Sequence, residues 1–287
     1  MLSNVKRALI VGGTGGIGYA IACRIATEAA ASTVIISGRN KPSSCPHPNI
    51  EFRHLDASSM GAINAYTAAY KAAQEPKLDL LVMTQGILTL AGRTETSEGI
   101  DRKMALHYYG RQLLIRELLP ALQDDARVLI VLDSVKGSPA SLDWEDLDLK
   151  RTYSIGNALK HTLSMTDAMV QQFAAHQKDG VNRQFVHAYP GFVKTNLERG
   201  LPWLIQIPTR AVVSLFAVSA ATCAENLLNG TYQSAAADRE EGRFWSYIDP
   251  KGSLVPNKAV WTEKQRQNVE EHTWRIADGA INAGNLA

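Results

Sequence analysis

The stretch Gly12-Gly13-Thr14-Gly15-Gly16-Ile17-Gly18 constrains the fold more than any other seven residues of the chain. It follows an apolar, β-branched run at 5–11 and opens a segment, 16–30, with helical spacing of its apolar residues. A strand that runs into so many glycines makes a tight turn, and the next helix begins with its first N–H groups uncovered. Small residues let that backbone approach an anionic group, and the helix N-terminus favours negative charge there. A glycine-rich turn alone is a weak signal; strand, turn and helix in this order strengthen it.

The alternation continues along the chain. Segments 33–37, 50–55, 78–83, 127–132 and 184–188 read as strands, and 61–74, 99–122, 155–176 and 209–228 as helices. Such alternation predicts an α/β fold, a doubly wound parallel sheet of the Rossmann type, with ligands at the carboxyl ends of the strands. No repeat or long linker divides 1–287, so a single dinucleotide-binding domain is expected. Two regions fall outside the pattern. Segment 197–208 is apolar with two prolines and suits a substrate flap, with Trp203 as a contact. Beyond it come a short aromatic strand at 243–247 and a polar C-terminal helical segment at about 262–282.

Composition excludes some functions. With 30 Lys and Arg against 28 Asp and Glu, the net charge is +2, and the basic residues are scattered rather than clustered. No nucleic-acid partner is expected. Segment 211–224 is too short and polar for a membrane span. Cys23, Cys45 and Cys223 follow no metal-ligand spacing, so no metal is expected and a reducing compartment, the cytoplasm, is.

With Gly12, Gly16 and Gly18 at Gly-x-x-x-Gly-x-Gly spacing, the chain resembles the short-chain dehydrogenase/reductase family over roughly 5–197. Its closest look is to the retinol-dehydrogenase-like branch, which includes many fungal proteins of secondary metabolism. The resemblance implies that Thr14 and Ile17 belong to the cofactor turn, Asp56 meets adenine, and Gly86 follows the fourth strand. It also implies that Val193 and Thr195, in Tyr189-Pro190-Gly191-Phe192-Val193-Lys194-Thr195, touch nicotinamide and phosphate. At the end of the second strand stand Arg39 and Asn40 rather than an acidic residue. A guanidinium can pair with a 2′-phosphate, which favours NADP(H). Relatives commonly pair through the helices at 99–122 and 155–176, so a homodimer is a possible assembly.

The family couples hydride transfer to a tyrosine acid, a lysine four residues later, a serine and an asparagine. Ser134 matches the serine, with Asp133 beside it, and His107 stands where asparagine belongs. Tyr153 invites a reading as the acid, with Lys160 partly replacing the lysine. Two spacings argue otherwise: counting back from Pro190-Gly191 and forward from Ser134 both reach Leu159 as the tyrosine position and Leu163 as the lysine position. On that register the helix faces the cofactor with a hydrophobic wall, while Lys160 and His161 point toward solvent or a partner helix.

Three functions remain open. The first is an NADP(H)-dependent reductase acting on a hydrophobic small molecule that needs little acid assistance, such as an iminium or an electron-poor alkene. The second is a non-redox cyclase, isomerase or dehydratase on the same scaffold, using His107, Asp133 and Ser134. The third is a catalytically silent NADP-binding or regulatory protein.

Overall fold

The structure is a computed structural model that describes residues 2–195, 217–240 and 242–284. The substrate flap expected at 197–208, Trp203 and the start of the helix expected at 209–228 lie outside the described residues.

Seven parallel strands form one sheet in the order β3-β2-β1-β4-β5-β6-β7. They are β1 (Arg7–Val11), β2 (Thr33–Gly38), β3 (Ile50–His54), β4 (Leu78–Met83), β5 (Leu122–Val131), β6 (Gln184–Ala188) and β7 (Trp245–Ile248). Alternate residues face opposite layers. Ala8, Ile10, Val82, Leu129 and Val186 meet one helical layer, and Leu9, Leu81, Met83, Val128 and Phe185 meet the other.

The first layer holds α1 (Gly16–Glu28) and α6 (Ala220–Glu240). The second holds α2 (Met60–Ala72), α4 (Gly110–Leu118), α5 (Ile155–Ala175) and α7 (Glu263–Gly284). A sheet buried on both faces explains why its central strands read as continuous apolar runs.

The helix expected at 99–122 starts later and is not uniform. Asp101 caps it, its Oδ1 accepting from the N–H groups of Lys103 and Met104 at 3.0 and 3.2 Å. The segment then runs as α3 (Arg102–Met104), a π-helical turn (Ala105–Tyr109) and α4. β5 is longer than expected because the chain pairs with β4 from Leu122 onward. No described helix is long and apolar enough to cross a membrane.

The C-terminal helix α7 packs across the second layer. Its Thr273 and His272 meet the hydroxyls of Tyr108 and Tyr109 at 2.5 and 2.8 Å. Arg116 of α4 pairs with Asp278 at 2.6 Å and lies over the Trp274 ring. Just ahead of α7, Lys258 extends into a buried cluster. Its Nζ donates to Gly137 O at 2.8 Å and to Asp167 Oδ2 at 2.5 Å, while His187 Nδ1 lies 2.7 Å from Asp167 Oδ1.

Candidate active site

The strand order reverses between β1 and β4, and there the carboxyl ends of the strands leave a cleft of about 440 Å³. Its walls include Gly12, Thr14, Gly16 and Ile17 of the turn, Arg39 after β2 and Asp56 after β3. Gly86 after β4 and Thr195 after β6 complete the set that sequence reasoning named. Gly18 lies behind the turn instead of lining the cleft, and Asn40 is exposed one residue beyond Arg39. Val193 is outside the lining too, bridged to Val218.

The glycines are needed sterically. Gly12 has φ +82°, and a Cβ on it would lie 2.5 Å from Gln85 N. A Cβ on Gly18 would lie 2.4 Å from Thr84 Oγ1 and 2.5 Å from Gly12 O. Thr84 Oγ1 is 3.2 Å from Gly12 O, so this side chain secures the turn from β4. Thr84 is the working residue of a motif whose only retained member, by sequence, was Gly86.

The far end of the cleft is charged. Asp56 Oδ1 accepts from Ser58 N–H at 2.9 Å and from Ser58 Oγ at 2.6 Å. Burial pushes the Asp56 carboxyl up, but the Ser58 bonds and the Arg39 and Arg102 charges outweigh it and hold the pKa below the usual value. Sequence reasoning did not single out Arg102, Ser58, Leu106 or Ile87 as part of this wall. The turn after β4, with its irregular path to Arg102, carries no pattern that would have found Ile87, Arg102 or Leu106, and Ser58 stands in the short loop after β3.

His107 sits in the π-helical turn with its Nε2 accepting from Ile87 N–H at 2.9 Å. Burial, with Arg111 and Lys103 nearby, lowers its pKa to about 3. The ring is therefore neutral near pH 7, with its proton on Nδ1. Its bond to Ile87 N–H holds the loop after β4 in place. Beside it the buried Arg111 donates to Val131 O and Gln85 O at 2.9 and 2.5 Å, tying β5 to the cleft edge. Burial lowers Arg111 to about 9.

The other candidate acid–base groups are engaged elsewhere. Ser134 is fully buried and its Oγ donates to Ile248 O at 2.8 Å, away from the cleft. In this arrangement its hydroxyl proton goes to the residue that ends β7. Asp133 Oδ1 accepts from Val135 N–H at 3.0 Å, and its Oδ2 lies 3.4 Å from Lys136 Nζ. That carboxylate closes its own turn.

Helix α5 begins at Ile155, capped by Ser154, so Tyr153 lies in the loop before it. The Tyr153 ring packs against the second-layer core, 5.4 Å from Lys103 Nζ. Lys160 is exposed on the helix. Tyr153 and Lys160 thus do not share a helical face, contrary to the alternative register. Leu159 is 46% exposed, as a wall residue should be, but Leu163 is buried and forms no part of an open wall. His161, expected to face solvent or a partner helix, is buried instead. Its Nε2 accepts from Asp143 N–H at 3.0 Å, and its Nδ1 lies 3.2 Å from Leu147 O.

This cleft, turn and helix arrangement can be set beside known proteins. The family model of the short-chain dehydrogenases matches residues 6–201. The chain belongs to the short-chain dehydrogenase family. Among its relatives is the oxidoreductase AN1596 of Emericella nidulans, 36% identical over 205 residues, covering 68% of this chain and 60% of that protein. Another is retinol dehydrogenase 12 of Bos taurus, 28% identical over 183 residues, covering 62% of this chain and 54% of that one. The match thus spans little more than half the length of either relative.

Among solved structures, the NADPH-bound carbonyl reductase from chicken fatty liver superposes with a TM-score of 0.60. It is 16% identical, with 90% of this chain and 99% of that one covered. At that identity the likeness shows the Rossmann-type fold. This short-chain dehydrogenase is thus similar to a fungal oxidoreductase and to a retinol dehydrogenase.

Proposed function

We propose that this chain is an NADP(H)-dependent reductase of a hydrophobic small molecule in a biosynthetic pathway, one whose acceptor needs no strong acid from the protein. The carrying observation is the cleft at the strand ends, furnished with the glycine turn, Arg39 and Asp56, together with an exposed leucine, Leu159, at the position on α5 that the spacing assigns to the acid. The turn at 12–18 would hold the pyrophosphate, Asp56 the adenine, Arg39 the 2′-phosphate, and Thr195 and the loop at Gly86 the reacting end. The bound cofactor supplies a hydride. NADPH in the carbonyl reductase of chicken fatty liver supports this choice of cofactor by analogy.

The protein's own residues orient and shield. Exposed apolar side chains gather after the carboxyl ends of the strands: Leu88 and Leu90 after β4, Val135 after β5, Phe192 after β6, and Ile155 and Leu159 at the start of α5. Exposed apolar side chains at that end of the sheet would suit an apolar acceptor. A missing acid typically costs ~10²–10⁴-fold in carbonyl reduction, so an acceptor already activated toward hydride is favoured. An iminium or a conjugated, electron-poor alkene meets that need, with water able to supply any later proton.

The non-redox alternative requires His107, Asp133 and Ser134 as acid–base groups. Each of them has a structural partner, which weighs against that reading.

The test is NADPH oxidation by the purified chain with paired acceptors of matched hydrophobicity. Activated alkenes or iminium ions should turn over at least ~100-fold faster than the corresponding simple ketones. NADPH binding without oxidation across the activated set would sink the reductase reading and favour a silent binding protein. Turnover of a substrate without NADPH consumption would favour the non-redox one.

A further inference from the structure

The adenine end of the cleft carries two arginines, and only Arg39 has a role in the reading above. We infer that Arg102 is a second cation for the 2′-phosphate, so that selectivity for NADP(H) over NAD(H) is set by a pair of guanidiniums on separate parts of the chain. This rests on the NADP(H) reading of the same site.

Arg39 follows β2 directly, whereas Arg102 opens α3 after the β4 loop, on the other side of β1 in the sheet. Both line the cleft and both are exposed. Both lower the pKa of Asp56, which places the two positive charges near one carboxylate.

That carboxylate does not consume them. Asp56 Oδ1 is held by the backbone and hydroxyl of Ser58, and neither arginine forms a salt bridge with Asp56. The contrast with other arginines is plain. Arg53 is paired with Glu75, Arg93 with Glu95 and Arg116 with Asp278. Among the described residues, the Arg39 and Arg102 side chains show no hydrogen bond or ion pair.

Two guanidiniums beside one hydrogen-bonded carboxylate leave a local excess of positive charge, which suits a dianionic phosphomonoester. A bare ribose hydroxyl would gain little from it. Arg102 can be replaced with little risk to the fold, because its backbone N–H, rather than its side chain, donates to Thr94 O at 2.8 Å.

Calorimetry on the whole chain tests the assignment, using NADPH and NADH and the adenine-end probes 2′,5′-ADP and 5′-AMP. Arg102→Leu should weaken NADPH and 2′,5′-ADP at least ~10-fold and NADH and 5′-AMP less than ~2-fold, with an unchanged melting temperature. Arg102→Lys should recover part of the loss. Equal weakening of all four ligands would overturn the assignment and make Arg102 a general adenine or pyrophosphate contact. Unchanged binding in Arg102→Leu, with the Arg39→Leu variant losing its preference for NADPH, would leave Arg39 as the sole selector and also overturn it. A wild-type chain that binds NADH as tightly as NADPH would instead overturn the NADP(H) reading itself.

Discussion

Ser134 occupies the motif position after β5, and its hydroxyl is bonded to Ile248 O. Its place after β5 was legible from spacing, but its direction depends on the turn 132–137 and on the later strand β7 that accepts its proton. Ser134→Ala should therefore leave turnover with the authentic acceptor within ~2-fold and lower unfolding free energy by about 1 kcal/mol, the worth of one buried hydrogen bond. Steady-state kinetics and urea denaturation on the same sample separate the two effects. A loss of turnover of 100-fold or more would restore Ser134 to the reacting centre. Leu159 belongs to the same scale. Replacing it with tyrosine adds a phenol where the helix is exposed, yet no lysine stands one turn on to lower its pKa. Leu159→Tyr should thus raise ketone reduction less than ~10-fold, measured as kcat/KM, and should reduce turnover of a bulky apolar acceptor.

At the scale of elements, the strand–helix alternation was readable because parallel strands buried on both faces stay apolar throughout, and the amphipathic helices between them keep a 3.6-residue period. The glycine turn was readable because backbone approach restricts the residues allowed. The start of α3 could have been placed correctly, since Asp101 is a good N-cap residue three positions ahead of Met104. What stayed hidden are contacts between distant segments. His161 is buried because the segment 142–149 folds over α5 and supplies both of its partners. Lys258 is likewise a surface-type residue by sequence, yet it joins the turn after β5, α5 and β6 through Gly137, Asp167 and His187. Lys258→Met would leave Asp167 buried without its cation and should cost about 2–4 kcal/mol of stability, read from the urea midpoint. An unchanged midpoint would mean that the cluster contributes no net stability.

For the whole molecule, the histidines set the response to acid. Burial is the leading cause that holds His107, His161, His187 and His272 below the ordinary imidazole pKa, with His107 at about 3 and His272 at about 4. These rings are neutral when folded and take up protons on unfolding once pH falls below about 6.5. Their contribution is complete above about 6.5 and is lost as pH falls toward their folded values. Stability should thus decline from pH 6.5 to 4.5, with each such ring adding up to about 1.4 kcal/mol per pH unit. Urea midpoints measured at pH 7.5, 6.0 and 5.0 should fall in that order, and His272→Gln should flatten the slope. A profile that stays level to pH 5 would show that the rings can be protonated inside the folded protein.

The reversal of strand order between β1 and β4 divides more than the cleft. Residues 11–58 supply the turn, Arg39 and Asp56, whereas residues 133–163 include the positions that match the family's serine, tyrosine and lysine. The two groups of residues are separate stretches of chain, so substitutions can accumulate in the second without disturbing the first. A lineage built on such a sheet can discard one reaction and test another while retaining the grip on its nucleotide.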